Sequence, residues 1–220
     1  MVLHHQSLAF LHILLMVFWI GTDLGVFIAG FYFMNAGLSL GQRRTAIELG
    51  LVIDRFPRLC FPAILPVGAQ LAYEEGLLPF GPTAMAAVWA AGLVWLAAVV
   101  VGMFRPGTKL AQTGHAFERV FQVASLVGLG GAGAAGLAGA LPLVPWLAGK
   151  LLAFGLICLF VILLELSFGP ALAAFQVIAE QGSEPAREAT LRRAMWATYV
   201  WVLATYAAVL AAGYLGTTRL

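Results

Sequence analysis

A succession of apolar runs, each long enough to cross a lipid bilayer and each broken by very few charges, leaves this chain little choice of solvent. Hydrophobic residues make up 62% of its 220 positions and charged residues 10%. At about 20 residues per spanning helix plus short connections, there is room for roughly six spans and no sizeable soluble domain. The expected fold is all-α: a polytopic transmembrane helical bundle, with residues 1–220 forming a single integral membrane domain in contact with the lipid bilayer. The helices are expected at about 7–34, 46–73, 83–104, 115–140, 146–176 and 190–215. The first run, Ser7 to Phe33, has no lysine or arginine before it and exceeds a signal-peptide core, so it reads as a retained helix.

Charge in the connections is one-sided. Arg43 and Arg44, Arg105 and Lys109, and Arg187, Arg192 and Arg193 fall in loops on one side, whereas the opposite loops carry Glu74, Glu75 and a tight turn from Leu141 to Pro145. The positive-inside rule then predicts a multi-pass protein of a bacterial inner membrane with both termini periplasmic. A net charge of +2 without a polybasic block argues against a nucleic-acid partner. Cys60 and Cys158 lie in separate spans and read as buried thiols rather than a disulfide.

Local signals refine this picture. Pro57, Pro62 and Pro66 each remove a donor from the second span, which should bend beside a polar interior. Gly128, Ala132, Gly136 and Ala140, and the row Gly131, Ala135 and Gly139, give the fourth span faces for close approach, either at the centre of the bundle or against another subunit. A homo-oligomer or a larger membrane complex would use such a face. From Glu180 to Arg193 the chain is polar, with Ser183 as the expected N-cap, Glu184 and Pro185 in the first turn, and Glu188 four residues before Arg192 on a solvated face.

Charges inside the spans must be paired, hydrated or used. His12, Met16, Trp19, Asp23 and Gly30 share one face of the first helix, which should point inward, with Asp23 about 16 Å deeper than His12 by helical rise. Around Asp23 the second span brings Asp54, Arg55 and Arg58, the fourth His115, Glu118 and Arg119, and the fifth Glu165. Three readings are open for this layer. It is a set of register-fixing ion pairs, Asp23 with Arg55 or Arg58 and Glu165 with Arg119; or a proton or ion path; or a metal site of His115 and Glu118 with Glu165. Nearer the other face, His12 has Phe10, Phe18 and Trp19 on its own helix as an apolar pocket and Lys150 at a similar depth. A neutral imidazole there suits axial ligation of haem iron, and Lys150 suits its electrostatic partner.

Three segments resemble the HemJ-type protoporphyrinogen oxidases and the CopD-type membrane proteins: Leu11 to Gly21 with its Leu-His and Trp-x-Gly, Arg58 to Gly68 with its basic entry and prolines, and Trp146 to Leu152 with Trp and Lys-Leu. The resemblance implies b-type haem, with His12 and Lys150 as the functional pair and Trp19 beside them. In that family the lysine helix carries a histidine some three turns on, and Ile157 to Leu164 has none. The function expected from these signals is a haem b membrane oxidoreductase or electron-transfer protein acting on a quinone or porphyrin-like substrate. His12 would hold the iron, and Asp23, Arg55 and Arg58 would deliver protons with Lys150 near the cofactor. The competing expectations are a proton- or metal-ion-coupled transporter and an accessory subunit whose polar core is structural.

Overall fold

The computed structural model describes residues 2–219, and these are helical almost throughout. The helices are α1 (Val2–Met34), α2 (Leu40–Ile53), α3 (Arg55–Glu74), α4 (Pro82–Phe104), α5 (Lys109–Ser125), α6 (Gly131–Leu137), α7 (Pro145–Gln181) and α8 (Pro185–Thr218), with a π-helical turn, Leu126–Gly130, joining α5 to α6. Five passages are long and apolar enough to cross a membrane: α1, α4, the α5 to α6 run, α7 and α8.

The remaining passage is the kinked pair α2 and α3, and its polarity is fixed at both ends. His5 on α1 reaches Glu74 at the end of α3 at 3.1 Å, and Arg219 after α8 reaches Glu75 at 2.7 Å. Both termini and the end of α3 therefore share one face, here called the terminal face. Arg43 of α2 meets Glu188 at the start of α8 on the opposite, distal face. The kink at Asp54 follows from Pro57, whose ring takes the place of an N–H donor and crowds the carbonyl one turn earlier.

Each helix packs on its neighbours in sequence: α1 on α2 and α3, α3 on α4, α4 on α5, α5 and α6 on α7, α7 on α8, and α8 back on α1. The result is a closed ring. Leucine, valine and phenylalanine side chains, among them Phe10, Val94 and Leu166, cover its outside as a lipid-facing surface should. Its centre is a stack of rings. Trp19 lies 4.9 Å from Phe61, Phe61 4.8 Å from Trp95, Trp95 4.6 Å from Phe121, and Phe154 5.7 Å from Phe61. Five elements of the ring thus contribute to one aromatic plug.

Several element ends differ from the sequence expectation. The second passage begins at Leu40, because Ser39 and Gln42 form a reciprocal capping box. The fourth ends at Leu137: Gly139 adopts a φ of 75°, and Ala140 donates to the Ala135 carbonyl at 2.8 Å, a helix-ending motif that takes Gly139 out of any packing row. Nor are the expected rows the ones that pack. Gly130 and Gly133 meet α7 backbone to backbone: a Cβ on Gly133 would lie 2.6 Å from the Ala148 carbonyl oxygen, and one on Gly130 3.3 Å from the Gly155 Cα. Gly128 and Gly131 face open space, and of the glycines in the expected rows only Gly136 packs against α7. The extra residue of the π turn shifts the phase of everything after it.

The polar segment before α8 is likewise rearranged. Glu184, not Ser183, is the N-cap, with Pro185 opening the helix. The Ser183 hydroxyl instead donates to Glu188 at 2.7 Å. Glu188 is not on a solvated face. The Arg43 side chain, 1% exposed, donates to both its oxygens at 2.8 and 2.9 Å, donates to the Phe33 carbonyl at 2.9 Å, and lies over the Phe175 ring. Four helices are tied by this one guanidinium, every oxygen of its partner is satisfied, and the pair closes the distal end of the ring.

Two outcomes follow for detergent-solubilised protein. Arg43→Met strands a buried carboxylate and should destabilise by ~3–5 kcal/mol, while Arg43→Met with Glu188→Met recovers most of that loss; thermal unfolding of both checks it. Gly133→Leu should lower the unfolding temperature sharply, because the backbone of α7 occupies the space its side chain needs, and Gly131→Leu should leave it unchanged.

Candidate functional site

Counting helical rise from the level of His12 toward the distal face orders the interior. Gly68 and Gly216 sit beside His12 and Lys150. About 10 Å deeper lies the aromatic plug, about 15 Å deeper Asp23, Arg58 and Tyr206, and about 21 Å deeper Asp54 and Glu165. The two polar layers expected from the sequence exist, and an aromatic layer separates them.

The deeper layer is organised on Arg58. Its Nε donates to Asp54 Oδ2 at 2.5 Å one turn back on the same helix, and its Nη1 lies 3.8 Å from Glu165. Arg119 of α5 donates to the other Glu165 oxygen at 2.6 Å. Asp23 and Glu118 both lie within electrostatic reach of Arg58, from α1 and α5. The expected pairing of Glu165 with Arg119 is present. Arg58, not Arg55, is the inward arginine. Arg55 is exposed and lies over the Phe104 ring at 5.6 Å. Asp23 makes no ion pair among the described residues; the buried Tyr206 hydroxyl stands beside it, short of hydrogen-bond geometry.

Sequence reasoning missed the most informative element of the layer. His115, Glu118, Gln122 and Ser125 follow steps of three, four and three, and so form one polar stripe on α5 that runs from the distal surface toward the plug. The His115 side chain is 59% exposed, that of Glu118 is 12% exposed, and Gln122 is 1% exposed. A cavity of about 230 Å³ follows this stripe, lined by Arg58, His115, Glu118, Arg119, Gln122 and Glu165. Its wall holds atoms with no partner in the protein: both amide atoms of Gln122 and Nη1 of Arg119. Trp95 Nε1 is also unpaired and points from α4 toward Glu118 without reaching hydrogen-bond geometry. Buried polar atoms rarely go unsatisfied, and a polar cleft of this size takes several water molecules. The signal was in the sequence: two polar residues continuing the period of His115 and Glu118 into an apolar run.

As a metal site the layer is poorly equipped. His115 Nδ1 is 3.7 Å from Glu118, but both Glu165 oxygens face guanidinium groups. Among the described residues no three His, Cys, Asp or Glu side chains gather to hold a metal ion.

The other layer holds His12 and Lys150. The imidazole packs on α3, where a Cβ on Gly68 would come within 2.8 Å of its Cε1, and its buried Nδ1 has no hydrogen-bond partner. Lys150 lies against Gly216 and 5.9 Å from the Trp146 ring centroid, which Arg219 also approaches at 5.6 Å. Phe10 and Phe18 do not line a pocket with His12; they point outward at 66% and 48% exposure. Trp19 belongs to the aromatic plug. A free imidazole nitrogen has the right donor chemistry for haem iron, and α3 packs against one side of the ring. The second cavity, about 300 Å³, lies at the distal turn by Ala36, Ser183 and Glu188.

Compared with family models, curated proteins and solved structures, the chain matches none.

Gln122→Leu exchanges an unpartnered buried amide for an apolar side chain of similar size. It should leave the unfolding temperature unchanged or raise it by the equivalent of ~1 kcal/mol, whereas Arg119→Leu, which leaves Glu165 only the longer Arg58 contact, should lower it.

Proposed function

We propose that this chain is an ion-coupled membrane transport protein in which the α5 stripe and its cavity form a half-channel for protons or small cations. The observation that carries the reading is a fully buried amide, Gln122, with neither of its polar atoms partnered, at the inner end of a cleft lined by charged side chains inside the bundle. A structural ion-pair core needs no such space. Register-fixing pairs are complete when every charge and lone pair is met by protein, as at Arg43 and Glu188. Around Glu118 they are not.

Arginines and lysines concentrate at the distal face, so by the positive-inside rule the half-channel opens to the cytoplasm and both termini lie in the periplasm of a bacterial inner membrane. Asp23, one turn below Trp19 of the plug, lies within electrostatic reach of Arg58 in the cleft wall. Transport across the remaining distance requires the aromatic plug to part, which is alternating access rather than an open pore.

A b-type haem on His12 is the competing reading, favoured by the unpartnered Nδ1 beside Lys150. The two are separable. Protein reconstituted with haem and showing a Soret band that His12→Ala removes would favour the haem site. For transport, the chain in liposomes under an imposed ion gradient should carry flux, and Gln122→Leu should lower it about tenfold, the equivalent of losing one hydrogen-bonded water contact of ~1.4 kcal/mol, while remaining folded. Wild-type liposomes as tight as empty ones would end the transport reading.

A further inference from the structure

Resting on the half-channel reading, we propose that the ion entering the cleft is a proton, carried by the Glu118 carboxyl and exchanged with the distal solution through His115. The argument starts from charge pairing. Asp54 is matched by Arg58, and Glu165 by Arg119 with Arg58 as a second neighbour. Glu118 has no guanidinium within salt-bridge distance, and its one ion-pair neighbour among the described residues is His115 at 3.7 Å. With a neutral histidine this layer holds four carboxylates, Asp23, Asp54, Glu118 and Glu165, against two guanidinium groups, and of the two carboxylates without a guanidinium partner, Asp23 and Glu118, it is Glu118 that lines the cleft.

An unmatched carboxylate away from bulk water either takes a proton or holds a cation. Its surroundings choose between them. The free groups about Glu118 are N–H donors: Nη1 of Arg119, Nε1 of Trp95 and the Gln122 amide nitrogen. These repel a metal cation and serve water well. A hard cation also wants about six oxygen ligands, and here Gln122 Oε1 is the one unpartnered side-chain oxygen beside the carboxylate. A proton needs only the carboxyl and a chain of water.

His115 fits the entrance. Its ring is mostly exposed, and it rests on Gly102 of α4, where a Cβ would come within 2.8 Å of Cε1. An imidazole can take a proton on one ring nitrogen and give one from the other, so an exposed ring can pass protons between water and a neighbouring acid. The step balances: imidazolium Nδ1–H gives its proton to the Glu118 carboxylate, leaving neutral imidazole and neutral carboxylic acid, and the imidazole takes a new proton from the distal solution. The groups facing Glu118 are His115 and Arg119 on its own helix, Arg58 from α3 with Asp54 behind it, Glu165 from α7 and the Trp95 indole from α4. Of these, His115 is the most exposed and the one ion-pair neighbour of Glu118.

The test is liposomes holding the full chain, with a pH-sensitive and a sodium-sensitive dye read in parallel under an imposed potential. Expected is proton flux that is unchanged when sodium is replaced by an impermeant organic cation, and no sodium signal. Glu118→Gln should cut the proton flux on the order of tenfold to a hundredfold, with Glu118→Asp retaining part of it. His115→Ala should slow the proton flux, with recovery on adding free imidazole. Infrared difference spectra between acid and alkaline pH should show a protonated carboxyl band that Glu118→Gln removes, a readout independent of transport. Sodium flux that depends on Glu118 would keep the half-channel and overturn the proton assignment. Proton flux indifferent to Glu118→Gln would overturn the carrier, and an absence of any ion flux would remove both readings.

Discussion

One guanidinium, that of Arg58, is the constraint on which the interior depends. In a lipid-embedded ring a charge without counter-charge costs several kcal/mol, and Arg58 sits where α3 faces the middle of the bundle. Asp54, four residues earlier, meets it as an i,i+4 pair, and Glu165 reaches it from α7. Once those contacts form, α5 must supply a second cation for Glu165, and Arg119 does so. The register of α3, α5 and α7 is thereby set by charge, while the plug above them is set by ring packing. Two guanidinium groups cannot neutralise every carboxylate in reach, and the remainder is what gives the cleft a chemistry.

The two ends of the bundle meet the same constraint differently. At the distal end Arg43 and Glu188 are saturated: three nitrogens are used, both carboxylate oxygens are filled, and Ser183 adds a further donor. Such a pair holds helices together and has nothing left to offer a ligand. Some turns deeper, Gln122, Arg119 and Trp95 keep polar atoms unpaired. Protein interiors tolerate such atoms where water or a substrate completes them. The contrast between a closed and an open polar cluster within one chain separates structural from functional charge more sharply than a count of buried ionisable residues does.

How much of this was legible in the sequence depends on the range of the interaction. Hydropathy alone fixes the helical fold and most spans, since the solvent acts on every residue independently. Helical period placed Trp19 and Asp23 on one inward face, and it paired Glu165 with Arg119. What it could not do was choose between residues about one turn apart. Arg55 and Arg58 differ by three positions, yet Arg55 is exposed and Arg58 makes the ion pairs. Phe10 lies two residues, about 200°, from His12 and so points to the opposite side. The pairing of Arg43 with Glu188 spans 145 residues and is set by the closure of the whole ring, which no local pattern encodes. The stripe on α5 is a different case: Gln122 and Ser125 were readable from spacing, and their lack of formal charge hid them.

The π turn explains why that stripe and the glycine contact occupy one continuous passage without competing for the same side. His115, Glu118, Arg119 and Gln122 of α5 line the cleft, and after Leu126 the chain must present Gly130 and Gly133 to the α7 backbone. A regular helix would keep both sets in a fixed phase. One extra residue per turn resets it, at the cost of a weaker local ladder, so the passage can be wide and polar toward the distal face and tight and apolar toward the terminal face. The change of phase falls just beyond Gln122, at the level where the polar cleft meets the aromatic plug. A motion that parts the plug would therefore act on a segment whose hydrogen bonding is already irregular, while the close contact of Gly130 with Gly155 holds the terminal half of the helix in place.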